Sequence, residues 1–358
     1  MNKNRKLKIL EEMRKNKIEQ LIISDKFSIF YLTGKKIESG ERLLVLYLNI
    51  DGTSKLVINK LFTQVKDLNL DFVWYDDEED AVEILGKIIN PQSTLGVDKN
   101  WPSGFLIRLN ELVGNLKVIN SSFIIDNVRL IKDDEEQKFM RESSKINDIA
   151  MEKIIPFIKT GVSEKELNLK IREIYKELGC EDVAFEPVIA FGKNAANPHH
   201  ESDETICKNG DCVVIDIGGI KNNYASDMTR TIFVGEVSNF AREIYEIVRE
   251  ANQIGIKTAK VGVRMCDVDS AVRNYIESKG YGEYFIHRTG HSIGLEDHEA
   301  GDVSVKNNEI IKEGQCFSIE PGIYIPEKEI GIRIEDLVII TKDGAEVLNS
   351  YTKDLIII

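Results

Sequence analysis

The chain has 358 residues, of which 42% are hydrophobic and 30% are charged, and it contains only 7 prolines. This length favours two domains of unequal size, and the composition excludes a disordered or fibrous protein. The formal net charge of −13 argues against a nucleic-acid-binding surface, which needs a clustered basic face.

The N-terminal segment, MNKNRKLKILEEMRKNKIEQ, is charged throughout and lacks the apolar centre of a signal peptide. No apolar run reaches the roughly 20 residues that a membrane-spanning helix needs. The five cysteines are odd in number, and no two have the C-x-x-C spacing of a zinc or redox site, which predicts reduced thiols. Together these features predict a cytoplasmic protein without a membrane segment.

The first part of the chain alternates helix and strand patterns. Helical patterns lie at residues 3–16, 79–89 and 103–113. The runs ERLLVLYLNI and TSKLVINK flank Asp51-Gly52, a strong hairpin signal. These patterns predict a small α/β domain over residues 1–127 that carries no catalytic motif.

The pattern changes near residue 130. Residues 133–159 predict one long helix with acidic residues in its first turn, where the helix dipole favours them. Further helical patterns lie at residues 163–178, 237–258 and 266–279, with β-rich segments between them. Residues 128–358 are therefore expected to form a second domain of the α+β class.

Two predicted hairpins in the second domain each carry a pair of carboxylates. In CVVIDIGGIKNNYASDMTRTIFVG, the midpoint of Asp216 and Asp227 falls inside the turn. In CFSIEPGIYIPEKEIGIRIEDLVII, the midpoint of Glu320 and Glu335 also falls inside the turn. If strand pairing is regular, the members of each pair face each other across the ladder.

Directly opposed like charges are destabilising, and burial in apolar strands increases the cost. A shared proton, a basic side chain or a cation can offset that cost, and two such pairs fit a divalent metal cluster best. Two divalent cations would balance the four negative charges. The alternative is that each register slips by one residue and the carboxylates face solvent, but strand register is closely tied to the buried face.

All five histidines lie in the second domain, within PHH and HRTGHSIGLEDH. His287 and His291 have the i, i+4 spacing of a helical zinc pair, but Gly290 and Gly294 disfavour a helix. A glycine-rich loop or strand that presents one imidazole to the carboxylates is the preferred interpretation. An isolated histidine is more often structural, so the residues alone do not assign a ligand.

The stretches DIGGIKNNYASDMTRT, HRTGHSIGLEDHE, SIEPGIYIP and GIRIED occur in this order. From about residue 130 to the end, the chain resembles the pita-bread metallopeptidases, especially prolidase and aminopeptidase P. The resemblance implies a pita-bread catalytic domain after a creatinase-like N-terminal domain. It also implies metal ligands, with Asp216 chelating one metal, His291 and Glu320 as terminal ligands of the other, and Asp227 and Glu335 as bridges.

The same resemblance implies further roles in catalysis and binding. Glu320, His199 and His298 are expected to be catalytic, and His287 and Arg333 to bind substrate. The alternative for Arg333 is that it pairs with the carboxylate cluster and does not touch substrate, since buried charges are usually paired. Ser292 replaces a glycine common in relatives. Leu337 follows Asp336 where aminopeptidase P often has a second aspartate, which favours the prolidase branch.

The function that follows is two-metal hydrolysis of the Xaa-Pro bond in small peptides with proline second, most of all in dipeptides. Mn²⁺ is the expected metal because the ligands are oxygen-rich, with Co²⁺, Fe²⁺ or Zn²⁺ as alternatives. The resemblance also implies a homodimer. The alternatives are an Xaa-Pro aminopeptidase acting on longer peptides, a non-catalytic pita-bread binding module and a small-molecule amidohydrolase; the complete ligand set argues against the binding module.

Overall fold

The structure is a computed structural model that describes residues 1–358. The chain forms two compact units, Met1–Arg129 and Leu130–Ile358. No helix combines the length and the apolarity that a bilayer crossing requires.

The first unit is built on a mixed sheet with the strand order β4-β3-β2-β1-β5-β6. Its strands are β1 (Gln20–Ile23), β2 (Val45–Asn49), β3 (Ser54–Asn59), β4 (Asp71–Tyr75), β5 (Leu95–Val97) and β6 (Val118–Asn120). Its helices are α1 (Lys3–Lys15), α2 (Lys26–Thr33), α3 (Ala81–Gly86), α4 (Ser103–Val113) and α5 (Ser122–Arg129). This is the small α/β domain that the sequence predicts.

The β2–β3 hairpin forms at the predicted turn. Gly52 adopts a φ of 94°, which an L side chain rarely tolerates, and the Asp51 side chain accepts a hydrogen bond from the Thr53 N–H. The sequence patterns do not predict α2 or α5. The boundary expected between residues 127 and 128 lies within α5, and the contacts divide the chain after Arg129.

The second unit contains the long helices α6 (Asp134–Ile154), α7 (Glu164–Glu177), α8 (Asn239–Thr258) and α9 (Met265–Ser278). Helix α6 begins with a capping box between Asp133 and Glu136. It ends earlier than the predicted residue 159, because Pro156 has no N–H to continue the helix, and a short 3₁₀ turn follows.

The strands of the second unit form four small sheets, ordered β11-β10-β7, β20-β12-β9-β8, β14-β13-β15-β18-β19 and β16-β17. Their bounds are β7 (Asp182–Val183), β8 (Val188–Phe191), β9 (Cys212–Ile217), β10 (Gly219–Lys221), β11 (Tyr224–Ala225), β12 (Met228–Phe233), β13 (Gly290–Ser292), β14 (Glu299–Val303), β15 (Cys316–Ile319), β16 (Gly322–Ile325), β17 (Ile330–Arg333), β18 (Asp336–Thr341), β19 (Gly344–Val347) and β20 (Ile356–Ile357). Antiparallel pairing predominates, and the unit is an α+β domain, as predicted.

Strand β9 is covered by helices on both faces. Val213, Ile215 and Ile217 pack with apolar residues of α6 and α7, whereas Val214 packs with those of α8 and α9. This period-two alternation of side chains is that of a strand buried on both sides. Asp216 follows Val214 on the same face, so an otherwise apolar strand carries one carboxylate near its end.

Candidate metal centre and substrate cavity

The first carboxylate hairpin differs from the sequence prediction in its register. Asp216 pairs with Thr229, not with Asp227. The turn is the two-residue Asn222-Asn223, with φ values of 53° and 67°, and it shifts the pairing by two residues. Because a shift of two preserves the side-chain face, Asp216 and Asp227 remain diagonal neighbours and line one cavity.

The second hairpin has the predicted register. The paired strands on either side of the two glutamates leave Glu320 directly opposite Glu335. The Glu335 N–H donates to the Thr229 carbonyl oxygen (3.1 Å), and Thr229 Oγ1 donates to Glu335 Oε2 (2.7 Å). These bonds join the second hairpin to β12 of the first, so all four carboxylates converge.

His291 on β13 faces this carboxylate cluster. Its Nε2 lies 3.5 Å from Asp227 Oδ2, 3.5 Å from Glu320 Oε1 and 4.0 Å from Glu335 Oε1. The ligand atoms of Asp227, His291 and Glu335 all lie within 4.8 Å of one another. The five sequence-predicted ligands, including Asp216, therefore lie at one place.

The local backbone fixes the imidazole of His291. A Cβ at the preceding Gly290 would lie 1.8 Å from the Ser318 carbonyl oxygen, so only glycine allows β13 to approach β15 this closely. His291 Nδ1 lies 3.3 Å from the Ser292 carbonyl oxygen, which can only accept a hydrogen bond. Nδ1 therefore carries a proton, and Nε2 is the nitrogen that points at the carboxylates, where a metal-binding histidine places its ligand atom.

The residues of this cluster fit divalent metal. Asp216 Oδ1, Asp227 Oδ1 and Glu335 Oε1 are buried and have no hydrogen-bond partner. Burial, together with the neighbouring carboxylates, raises the pKa of Asp227 and of Glu335 well above the ordinary carboxyl range. A cation would supply the missing partner and favour the ionised forms, and an oxygen-rich set with one imidazole suits a divalent ion.

Glu320 differs electrostatically from its partner. Burial acts to raise its pKa, but the surrounding groups, which include the buried cation of Arg333 and the hydrogen bond from Ser318, outweigh burial, so the pKa of Glu320 lies below the ordinary value. Its side chain is also 16% exposed, compared with 2% for Glu335. Glu320 is therefore an ionised carboxylate at the edge of the cavity.

Arg333 is buried in the wall of the cluster, and each of its three guanidinium nitrogens donates a hydrogen bond to a protein group. Nη2 donates to Asp216 Oδ2 (2.7 Å), Nε to Thr229 Oγ1 (3.0 Å) and Nη1 to the Tyr324 hydroxyl (2.9 Å). Its positive charge thus offsets part of the negative charge of the four carboxylates.

The network continues from Tyr324 to His287. His287 Nδ1 lies 2.7 Å from the Arg288 carbonyl oxygen, and its Nε2 lies 2.9 Å from the Tyr324 hydroxyl. Because the carbonyl only accepts, Nδ1 carries the proton and Nε2 accepts from Tyr324. Burial lowers the pKa of His287 and raises that of Tyr324 to about 12, so both are neutral. Neither ring nitrogen of His287 is free to bind a ligand.

A cavity of about 690 Å³ opens over the metal ligands. Its wall includes an apolar group made of Phe185, Pro187, Val188 and Pro198. His298 lies on another part of the wall, with its ring centroid 3.9 Å from that of His291. Burial and the adjacent His291 lower the pKa of His298, which keeps its imidazole neutral.

His199 also lines the cavity, and its exposed imidazole makes no hydrogen bond. The 3₁₀ segment before it, Gly192–Ala196, lies against β17. A Cβ at Gly331 of β17 would lie 1.6 Å from the Ala195 carbonyl oxygen. The two backbones are thus in direct contact beneath the loop that carries His199.

Arg288 is a cavity residue that the sequence reasoning did not select. It lines the cavity, is partly buried, and its guanidinium has neither a hydrogen bond nor a salt bridge. Its place between two histidines in HRTGH was the available signal, because a cation next to candidate site residues is placed to meet an anionic ligand.

Comparisons with known proteins identify the family of the chain. Residues 138–342 match the family model described as metallopeptidase family M24, and residues 5–131 match the creatinase/prolidase N-terminal domain. The two domains and their order define a pita-bread metallopeptidase with a creatinase-like N-terminal domain. The chain belongs to metallopeptidase family M24.

Similar proteins match along the whole chain. A Staphylococcus aureus protein described as an uncharacterized peptidase is 34% identical over 357 residues, covering 97% of this chain and 99% of that protein. The solved structure of a dipeptidase from Pyrococcus horikoshii has a TM-score of 0.94 and 35% identity, covering 99% and 100% of the two chains. A prolidase from Thermococcus sibiricus has a TM-score of 0.95 and 34% identity, covering 100% of both.

Proposed function

We propose that this protein is a dinuclear metal-dependent hydrolase that cleaves the Xaa-Pro bond, with dipeptides as its preferred substrates. The observation that carries the proposal is the set of three buried carboxylate oxygens without partners, on Asp216, Asp227 and Glu335, beside Nε2 of His291. Membership of a metallopeptidase family and the likeness to structures described as a dipeptidase and a prolidase support it.

The five proposed ligands would hold two divalent ions, and we propose Mn²⁺ because four of the five are carboxylates. Metal bound there would lower the pKa of a water molecule and polarise the scissile carbonyl group. The proposed ligands are Asp216, Asp227, His291, Glu320 and Glu335.

Glu320 is the proposed general base. Its carboxylate is ionised at neutral pH and is the more exposed of the opposed pair, so it can accept a proton at the cavity surface. Ser318 Oγ donates to Glu320 Oε1 (3.1 Å), which orients the carboxylate.

His199 and His298 are the proposed groups that contact the reacting peptide. Each imidazole faces the cavity, and a neutral imidazole retains one N–H to donate to developing negative charge. The nitrogen of a Xaa-Pro amide has no hydrogen, so it must gain a proton when it leaves. We propose that Glu320 supplies that proton after it has taken one from water, and that His298 acts as a hydrogen-bond donor to the reacting peptide.

The preference for dipeptides requires a cation that meets the free carboxylate of proline. Each guanidinium nitrogen of Arg333 already donates to Asp216, Thr229 or Tyr324, whereas the guanidinium of Arg288 has no partner. We therefore propose Arg288 as the carboxylate-binding group. His287 and Arg333 are proposed to shape the substrate site through Tyr324.

We further propose that the protein acts in the cytoplasm as a homodimer. All five cysteines are free thiols, as expected in a reducing compartment. The dimer follows from the resemblance to prolidases and is tested by light scattering in solution.

The function is tested with metal-stripped protein and a panel of Xaa-Pro dipeptides, Xaa-Pro tripeptides and matched peptides without proline. We expect no turnover after chelation and recovery with added Mn²⁺, with Ala-Pro cleaved faster than Ala-Pro-Ala. Full turnover by protein shown to be metal-free by elemental analysis would refute the two-metal proposal. Equal or better cleavage of the tripeptide would favour an aminopeptidase instead.

A further inference from the structure

A second cluster of ionisable side chains lies beside the cavity, outside the metal centre. Its central residue is Glu164 at the start of α7, which is fully buried. Glu164 Oε1 accepts from the Phe191 N–H (2.7 Å) and from Asn194 Nδ2 (3.0 Å). Glu164 Oε2 lies 2.6 Å from His200 Nε2 and accepts from the Asp203 N–H (3.0 Å). Four donors from residues 191–203 thus converge on one carboxylate.

Glu164, His200 and Asp203 have the residue types of a metal site. However, a carboxylate has about four acceptor positions, and nitrogen donors already occupy two on each oxygen of Glu164. Asp203 Oδ1 is likewise occupied, by the Thr205 N–H at 2.7 Å. Because a carboxylate only accepts, His200 Nε2 is the donor. The cluster is therefore an internal anchor for a chain segment.

The segment that this anchor holds carries His199. His200 directs its imidazole inward to Glu164, whereas the adjacent His199 is exposed to the cavity. Two local hydrogen bonds hold the backbone of this segment. The His199 N–H donates to Asn197 Oδ1, and the His200 N–H donates to the Asn197 carbonyl oxygen, both at 3.1 Å. Because the His199 imidazole makes no hydrogen bond of its own, its position depends on that of the backbone.

We propose that Glu164 and His200 are positioning residues that hold His199 over the substrate. This inference rests on the proposed function, in which His199 contacts the reacting peptide. Loss of the His200 donor leaves the carboxylate with three of its four partners and frees the backbone on one side of His199. Since a small displacement of a contacting group lowers the rate sharply, turnover falls while the metal centre remains intact.

The test compares His200→Ala with His200→Gln, whose side-chain amide can restore a donor to Glu164. For Mn²⁺-loaded protein and Ala-Pro, we expect His200→Ala to lower kcat about 10-fold or more, with KM changed less than about twofold. We expect His200→Gln to stay within about threefold of the wild type. The matched control is Glu204→Gln in the same segment, because the Lys165–Glu204 ion pair is exposed and touches neither histidine.

A second measurement does not depend on activity. The protein has five histidines, so the imidazole signals of metal-free protein labelled with ¹³C-histidine can be resolved. His199 is assigned by the signal lost in His199→Gln. In His200→Ala, we expect the His199 signal to shift and broaden while those of His287 and His298 do not move.

The outcomes separate this inference from the proposed function. A wild-type protein that fails to cleave Xaa-Pro peptides refutes the function, and the imidazole spectrum still tests the anchor. An unmoved His199 signal, unchanged kcat or the loss of a bound metal in His200→Ala overturns the inference. If His200→Ala does not fold, His200→Asn, whose amide is too short to reach Glu164, takes its place in the same comparison.

Discussion

Arg333 and Asp216 form an ion pair in the wall of the metal centre, with Nη2 2.7 Å from Oδ2. The pair occupies one oxygen of Asp216 and leaves Oδ1 buried without a partner. The guanidinium therefore orients the carboxylate and leaves one oxygen for metal. Through Asp216 and Tyr324, Arg333 is connected both to the carboxylate cluster and to His287.

The first prediction concerns Arg333→Gln in metal-free protein. Removing one partner of a buried ion pair costs about 3–5 kcal/mol, because the other charge stays buried and uncompensated. We expect a loss of this size in urea unfolding. The control is Arg249→Gln, which breaks partly exposed pairs with Glu246 and Asp354 and should cost less than about 1 kcal/mol. Similar losses in both variants would contradict the role of Arg333.

The second prediction concerns Glu320→Gln. The amide keeps an oxygen beside the metal centre but cannot accept the proton from water, so kcat should fall by about 100-fold or more. Because Glu320 is also a proposed ligand, the variant is assayed at saturating Mn²⁺, with its metal content measured by elemental analysis. Glu327→Gln is the control on the same hairpin, because Glu327 is exposed and bonds only to Tyr284 among side chains. Near-normal turnover of Glu320→Gln with both metals bound would remove Glu320 as the base.

The third prediction concerns how the stabilisation of the protein by Mn²⁺ depends on pH. Burial and like charge raise the folded-state pKa of Asp227 and Glu335 above their ordinary values of 3.8 and 4.5. The metal-free folded state then binds more protons than the unfolded state. The contribution of these two carboxyl groups to the free energy of unfolding is therefore fully present below their ordinary pKa values, and it is lost as the pH rises through their raised folded-state pKa values. Metal needs the ionised carboxylates, so the increase in Tm on adding Mn²⁺ should grow with pH over this window.

Calorimetry can check this linkage directly. Binding of Mn²⁺ should release protons, measured as a dependence of the heat on the ionisation enthalpy of the buffer. Asp227→Asn removes one of the two titrating groups and should reduce the release. A metal-induced change in Tm that is constant with pH would argue against two raised carboxyl pKa values.

The fourth prediction concerns Arg288→Gln. If Arg288 meets the carboxylate of a dipeptide, losing this charge-assisted contact should lower kcat/KM for Ala-Pro by about 10- to 100-fold. Cleavage of the amidated peptide Ala-Pro-NH₂ should change little, because that substrate has no carboxylate. Arg264→Gln, at an exposed pair with Asp267, serves as the charge-matched control. Equal losses for the acid and the amide would exclude this role.

The sequence predicted the domain classes and the converging carboxylates because strand periodicity and hairpin signals are local. The predicted register of the first hairpin was wrong, because the apolar runs do not indicate that Asn222 and Asn223 both adopt positive φ. The prediction that Asp216 and Asp227 lie on the same face of the hairpin still holds, because side chains alternate with period two and the register shift is two residues. Helix α6 is shorter than predicted because Pro156 has no N–H with which to extend it.

Contacts between distant residues were less accessible to sequence reasoning. Arg333 was expected either to bind substrate or to pair with the carboxylate cluster, and the choice of Asp216 as its partner depends on how β17 packs on β9. Glu164 and His200 are 36 residues apart, and no local pattern joins them. Such pairs are decided by tertiary packing, which periodicity does not encode.

The contact between Gly331 and Ala195 has a consequence for which substitutions the protein can accept. Two backbones meet there, so no smaller side chain elsewhere can make room for a Cβ at position 331. Because β17 carries Arg333 and the facing segment leads to His199, even alanine would separate two walls of the cavity. A saturation screen for activity should therefore find position 331 as intolerant as a metal ligand and without second-site suppressors, although glycine contributes no functional group.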